Sequence, residues 1–144
     1  MNATERRPAV GPPRWAAWCL YGLSAFQVVI AVLLYLNWND TVDGFTGEAF
    51  APRRDAAEGA AAGALGVHVL LAVLFLVVAA KVAAARRWAR IVATVLLAFV
   101  IVGGIGAMLT ISEQTPLNPI GVALALAAVV LLWMPTASRG RSAT

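Results

Sequence analysis

Residues 56–80 read AAEGAAAGALGVHVLLAVLFLVVAA. Glu58 stands near the start and His68 near the middle; every other residue is apolar or small. As a helix at 1.5 Å per residue the stretch rises about 37 Å, more than the roughly 30 Å hydrocarbon core of a bilayer. It has no polar face to turn toward water, as a surface helix of a soluble domain would. The stretch therefore reads as a membrane-crossing helix.

Working outward, three more apolar stretches appear at 15–36, 88–111 and 117–134. The first two of these meet the length of about 20 residues that a span needs. The last is shorter and reaches that length only by local thinning of the bilayer. Composition agrees: the 144 residues are 61% hydrophobic and 12% charged, against about 25% charged in ordinary soluble domains. A soluble domain of this size could not hide so much apolar surface. The expected fold is an all-α membrane protein, a four-helix transmembrane bundle. Tails at 1–14 and 135–144 flank a transmembrane domain at 15–134, and an external loop occupies 37–55.

The span ends carry matching chemistry. Asp55 and Glu58 have capping-box spacing, with a carboxylate for each of two free amides. Asn118-Pro119 offers a cap followed by a proline at the first helical position, and Pro135 closes the last helix. Trp15, Trp18, Trp38, Trp88 and Trp133 lie at or near span ends, as do Tyr21 and Tyr35. That placement matches aromatic belts at the two interfaces.

Basic residues set the expected orientation. Arg6, Arg7, Arg14, Lys81, Arg86, Arg87, Arg90, Arg139 and Arg141 fall in the two tails and the middle loop. The first and third loops hold only Arg53 and Arg54, and together with the start of the second span they hold six of the seven acids. Positive-inside bias then puts both termini in the cytoplasm. The first apolar run is too long for a cleaved leader and no small-residue cleavage site follows, so an uncleaved helix is expected.

Several chemistries lack their residues. Cys19 is the only cysteine, so an intrachain disulfide and thiol-pair redox chemistry are excluded. A buried inert thiol is the ordinary reading of it. The charge of +4 is spread over loop ends rather than gathered on a patch, and no nucleic-acid partner is expected. Asp40, Asp43 and Glu48 lack the alternation of oxygen ligands that a calcium loop requires. No catalytic residue, metal site or cofactor is expected.

What remains is polar and small residues inside the spans. His68 lies about twelve residues in from the external side and Gln27 about nine, so the two could meet at similar depth. Ser24 and Thr94 complete the intramembrane polar set. The ordinary reading of His68 and Gln27 is a structural hydrogen bond between helices; the functional one is a polar path. Gly59, Gly63 and Gly66 form one stripe, and at about 100° per residue His68 points to nearly the opposite side. One face is expected to pack within the chain and the other against a second chain. Gly103, Gly104, Gly106 and Gly121 read as further close-packing positions. Arg86, Arg87 and Arg90 could hold anionic lipid headgroups, beyond their ordinary role as anchors.

The half from Arg86 onward, RRWARIVATVLLAFVIVGGIGAMLTI and then NPIGVALALAAVVLLWMP, resembles small four-span actinobacterial membrane proteins of unknown function. The shared features are a basic-Trp-Ala-Arg turn, a glycine-bearing third helix and a fourth helix ending in aromatic-Met/Leu-Pro. The resemblance implies the four-span fold and a bacterial plasma membrane, and no activity. The expected role is an accessory or scaffold subunit, not an enzyme, acting by helix packing with itself or another membrane protein in the lipid bilayer. The alternative is a small transporter or channel component using a polar path near His68 and Gln27.

Overall fold

The computed structural model describes residues 14–46, 48, 51–84, 86–110 and 117–134. All five elements are helices: α1 Arg14–Leu36, α2 Trp38–Phe45, α3 Arg54–Ala83, α4 Arg87–Thr110 and α5 Leu117–Trp133. No strand occurs among the described residues beyond an isolated bridge between Glu48 and Ala51. Three helices, α1, α3 and α4, are long and apolar enough to cross a membrane. The 17 residues of α5 are as apolar but fall short of that length.

The structure departs from the sequence expectation at three places. The loop at 37–55 contains α2, which continues almost directly from α1 because Asn37 N–H still donates to Leu33 O at 3.0 Å. The second span begins at Arg54, two residues before expected, with extended Arg53 as its N-cap. Pro52 has no amide hydrogen and disfavours helix in the residue before it, so the helix starts just past it. Asp55 consequently lies inside the first turn rather than at the cap, and no side chain caps that end. Helix α5 begins at Leu117, as expected, but Asn118 and Pro119 lie within its first turn rather than at a cap, where a missing amide hydrogen still costs nothing. Ile111, Glu113, Pro135, Arg139, Arg141 and nearly all of both tails lie outside the described residues.

The four longer helices touch in the cyclic order α1, α3, α4, α5 and back to α1, with no contact across either diagonal. Their shared core gathers at the end of the ring that carries the α3–α4 turn. It is built from Ala16, Ala17, Leu20 and Leu23 on α1 and from Leu71, Phe75, Val78, Ala79 and Val82 on α3. Facing them are Ala89, Ala93 and Leu97 on α4 and Ala125, Ala128 and Leu132 on α5. Alanine is frequent here because a small side chain lets two backbones approach, which maximises dispersion contact where lipid supplies no hydrophobic drive. At the same end Trp133 Nε1–H donates to Thr94 Oγ at 3.0 Å, tying α5 to α4.

Outward-facing side chains are large and apolar. Leu109, Val102, Leu36 and Phe99 are all more than two-thirds exposed. In water such a surface would be an aggregation hazard; in hydrocarbon it is matched to its solvent. A small second core forms where α2 lies on α3, with Val42, Ala51, Ala57 and Ala61 buried beneath Trp38 and Phe45. Arg54 Nη1 clamps it from outside through Asp43 Oδ1 at 2.8 Å.

Candidate functional site

Away from the alanine-rich end the ring opens. A cleft of about 270 Å³ lies there, with walls from all four long helices. Phe26, Gln27 and Ile30 come from α1, while Ala64, Val67, His68 and Leu71 come from α3. Helix α4 contributes Phe99, Val100, Gly103, Gly104 and Ala107, and α5 contributes Gly121 and Val122. Most of this lining is hydrocarbon or bare backbone. Val67, Phe99 and Gly103 are exposed, so the cleft opens outward between α3 and α4.

Glycine shapes the cleft in two ways. Gly104 lets α4 and α5 approach closely, since a Cβ there would sit 2.6 Å from Val122 Cγ2. Gly121 performs the same service for α1, because its Cβ would stand 3.2 Å from the Phe26 ring. Gly103 has nothing within 4 Å of that position and forms open wall. Gly106 also has open space there.

The polar groups inside the apolar segments are paired. His68 Nδ1 lies 2.5 Å from Gln27 Oε1. A carboxamide oxygen only accepts, so the ring nitrogen facing it is the one carrying hydrogen. One turn further along the same interface, Ser24 Oγ–H donates to the carbonyl of Ala72 at 2.7 Å. Ser24 and Gln27 are buried, and no buried side-chain nitrogen or oxygen among the described residues lacks a partner. Both bonds run between α1 and α3, the most extensive helix pairing in the fold. Depth counting along the sequence pointed to Gln27 and His68; it carried no signal for the carbonyl that receives Ser24.

Thr94 stands apart from this pair, at the other end of the ring, where its hydroxyl donates to Arg90 O at 2.9 Å and accepts from Trp133. Gly59, Gly63 and Gly66 lie on the far side of α3, with nothing within 4 Å of a Cβ at any of them. Leu70, Val73 and Val77 continue that face and are about half exposed. Lys81, Arg86 and Arg87 are exposed around the α3–α4 turn, with Arg90 half-buried beside them. Cys19 is half-buried. Among the described residues no three His, Cys, Asp or Glu side chains gather as a metal site would require.

Compared with known families, curated proteins and solved structures, the chain has no match in any of the three.

Proposed function

We propose that the chain is a four-span protein of the bacterial plasma membrane, with both termini cytoplasmic. In this reading it serves as an accessory or scaffold subunit without catalytic chemistry, and it acts by packing α3 against a helix of a second chain. The observation that carries the reading is the division of α3 into two faces. Its His68 face is occupied by α1, and Leu71, Ala72 and Phe75 are buried along it. The opposite face presents Gly59, Gly63 and Gly66 to empty space.

Each glycine inside a helix costs about 0.8–1.0 kcal/mol relative to alanine. Gly104 and Gly121 recover that cost through close contacts within the chain; Gly59, Gly63 and Gly66 do not. Close approach of another backbone is the return that glycine brings at a membrane helix surface, and Gly59 and Gly63 have the small-xxx-small spacing of such contacts. The transport alternative draws on His68 and Gln27, but these bond to each other between apolar walls. Ser24 and Thr94 extend no polar path from them, since one bonds to Ala72 and the other lies at the far end of the ring.

The test is purification of a tagged chain in mild detergent, combined with oxidative crosslinking of Gly63→Cys in a background where Cys19 is alanine. A defined homo-oligomer or a stoichiometric partner, with crosslinks from position 63, is the expected result. A clean monomer that never links would end the proposal.

A further inference from the structure

We propose that the cleft between α1, α3, α4 and α5 is a binding site for a small membrane-soluble phenol, a flat ring bearing one hydroxyl that donates to Nε2 of His68. This site is separate from the glycine face of α3, and the inference does not rest on the association reading.

Three features of the cleft define the ligand. The first is size. Apolar cavities of about 150 Å³ already bind benzene, and this one measures about 270 Å³, enough for a substituted ring but below the usual range for drug-sized ligands of about 300–1,000 Å³. The second is shape. Phe26 and Phe99 line the cleft together with the bare backbone of Gly103 and Gly104, and aromatic side chains favour offset or edge contacts with another ring. Access lies between α3 and α4 at the level of the apolar segments, so the ligand arrives from the hydrocarbon phase.

The third feature is polarity. His68 Nδ1–H is committed to Gln27 Oε1, which leaves Nε2 as the unprotonated nitrogen of a neutral imidazole, an acceptor. The contact with Gln27 is the hydrogen bond His68 makes among the described residues, and it engages Nδ1 alone. His68 lines the cleft, and an acceptor in an apolar cleft selects for a donor, which a hydroxyl supplies and a hydrocarbon does not. Gln27 thus acts as a positioning residue: it holds the tautomer that makes Nε2 an acceptor.

His68 is the only histidine in the chain, so histidine-selective ¹⁵N labelling gives one ring to observe. The full-length protein in detergent micelles is titrated with 4-butylphenol and, separately, with butylbenzene. The phenol is expected to shift the Nε2 resonance saturably, and butylbenzene to bind about three- to tenfold more weakly, the factor one hydrogen bond is worth. Gly103→Leu, at a position with open space for a side chain, is expected to abolish the saturable shift while the thermal midpoint holds. Ala64→Leu fills the cleft from α3 and guards against a folding defect in the first variant. A shift that grows without saturating would overturn the proposal. So would equal affinity for the two probes, or saturable binding that survives both filled variants.

Discussion

Gln27 on α1 and His68 on α3 are joined across the helix interface by a hydrogen bond from Nδ1 to Oε1 of 2.5 Å, one turn from the bond between Ser24 and the Ala72 carbonyl. The two bonds fix the rotation of α3, and that rotation decides what each side of the helix meets. With His68 turned toward α1, the glycine stripe nearly opposite must face outward. A rotation of half a turn would bury the glycines and expose the imidazole to lipid.

The first prediction concerns that bond. Gln27→Leu leaves the imidazole N–H without its acceptor, and His68→Leu leaves a buried carboxamide oxygen without its donor. Each single change is expected to cost about 1–3 kcal/mol. The double variant should cost less than the sum, with a coupling near 0.6 kcal/mol and at most about 1.7. Unfolding in mixed micelles measures all three. Strict additivity would show that the bond contributes nothing.

Glycines on opposite sides of the fold should respond oppositely. Gly104→Ala places a methyl group 2.6 Å from Val122 Cγ2, and overpacking of this kind costs about 1–3 kcal/mol. Val122→Ala in the same chain should restore most of the loss. Gly63→Ala meets nothing within the chain and should leave the monomer as stable, or stabilise it by up to about 1 kcal/mol through helix propensity. Its effect should fall on association: crosslinking or co-purification declines while the thermal midpoint of the monomer does not.

The α2 patch separates burial from charge. Val42 is fully buried against α3, whereas Arg54 and Asp43 are both more than half exposed. Asp43→Asn should therefore cost under about 1 kcal/mol, as exposed ion pairs do. Val42→Asp inserts a carboxylate into the small core and should release α2, seen as faster amide exchange across 38–45. Equal effects from the two changes would mean that the ion pair, not the apolar contact, holds α2 in place.

Much of this architecture was legible because the signals were long or repeated. Runs of twenty or more apolar residues mark α1, α3 and α4 whatever their neighbours do, and similar depth suggested that Gln27 and His68 could meet. Helix α2 escaped because its sequence, WNDTVDGF, is short and far less apolar than the spans. Its cue is narrower: Trp38, Val42 and Phe45 recur at i, i+4 and i+7, and those three form the contact with α3. The start of α3 escaped because two signals compete there. Asp55 and Glu58 imitate a cap, but Pro52 ends the extended segment earlier, and Arg54 is drawn into the helix with Glu58 one turn away at 3.6 Å. The adjacent pair Gly103 and Gly104 was undecidable from sequence. Which one meets α5 depends on the rotation of α4, set by contacts at Ala89, Ala93 and Leu97 two to four turns away.

The last prediction decides the number of spans. Helix α5 has 17 residues, a rise of about 25 Å at 1.5 Å each, some 5 Å less than a typical hydrocarbon core. A small mismatch of this size costs only fractions of a kcal/mol per ångström, and Trp133 at its end, more than half exposed, can anchor at the interface. A crossing α5 places the chain's end on the same side as the α3–α4 turn. With Cys19 changed to alanine, Arg87→Cys should be labelled by a membrane-impermeant thiol reagent only after permeabilisation, and Asn39→Cys in intact cells. A green fluorescent protein fused after Thr144 should then fluoresce, as it does in the cytoplasm, and an alkaline phosphatase fused there should be inactive. The reverse pattern at Thr144, with positions 39 and 87 unchanged, would make α5 a helix lying along the outer surface. The protein would then have three spans.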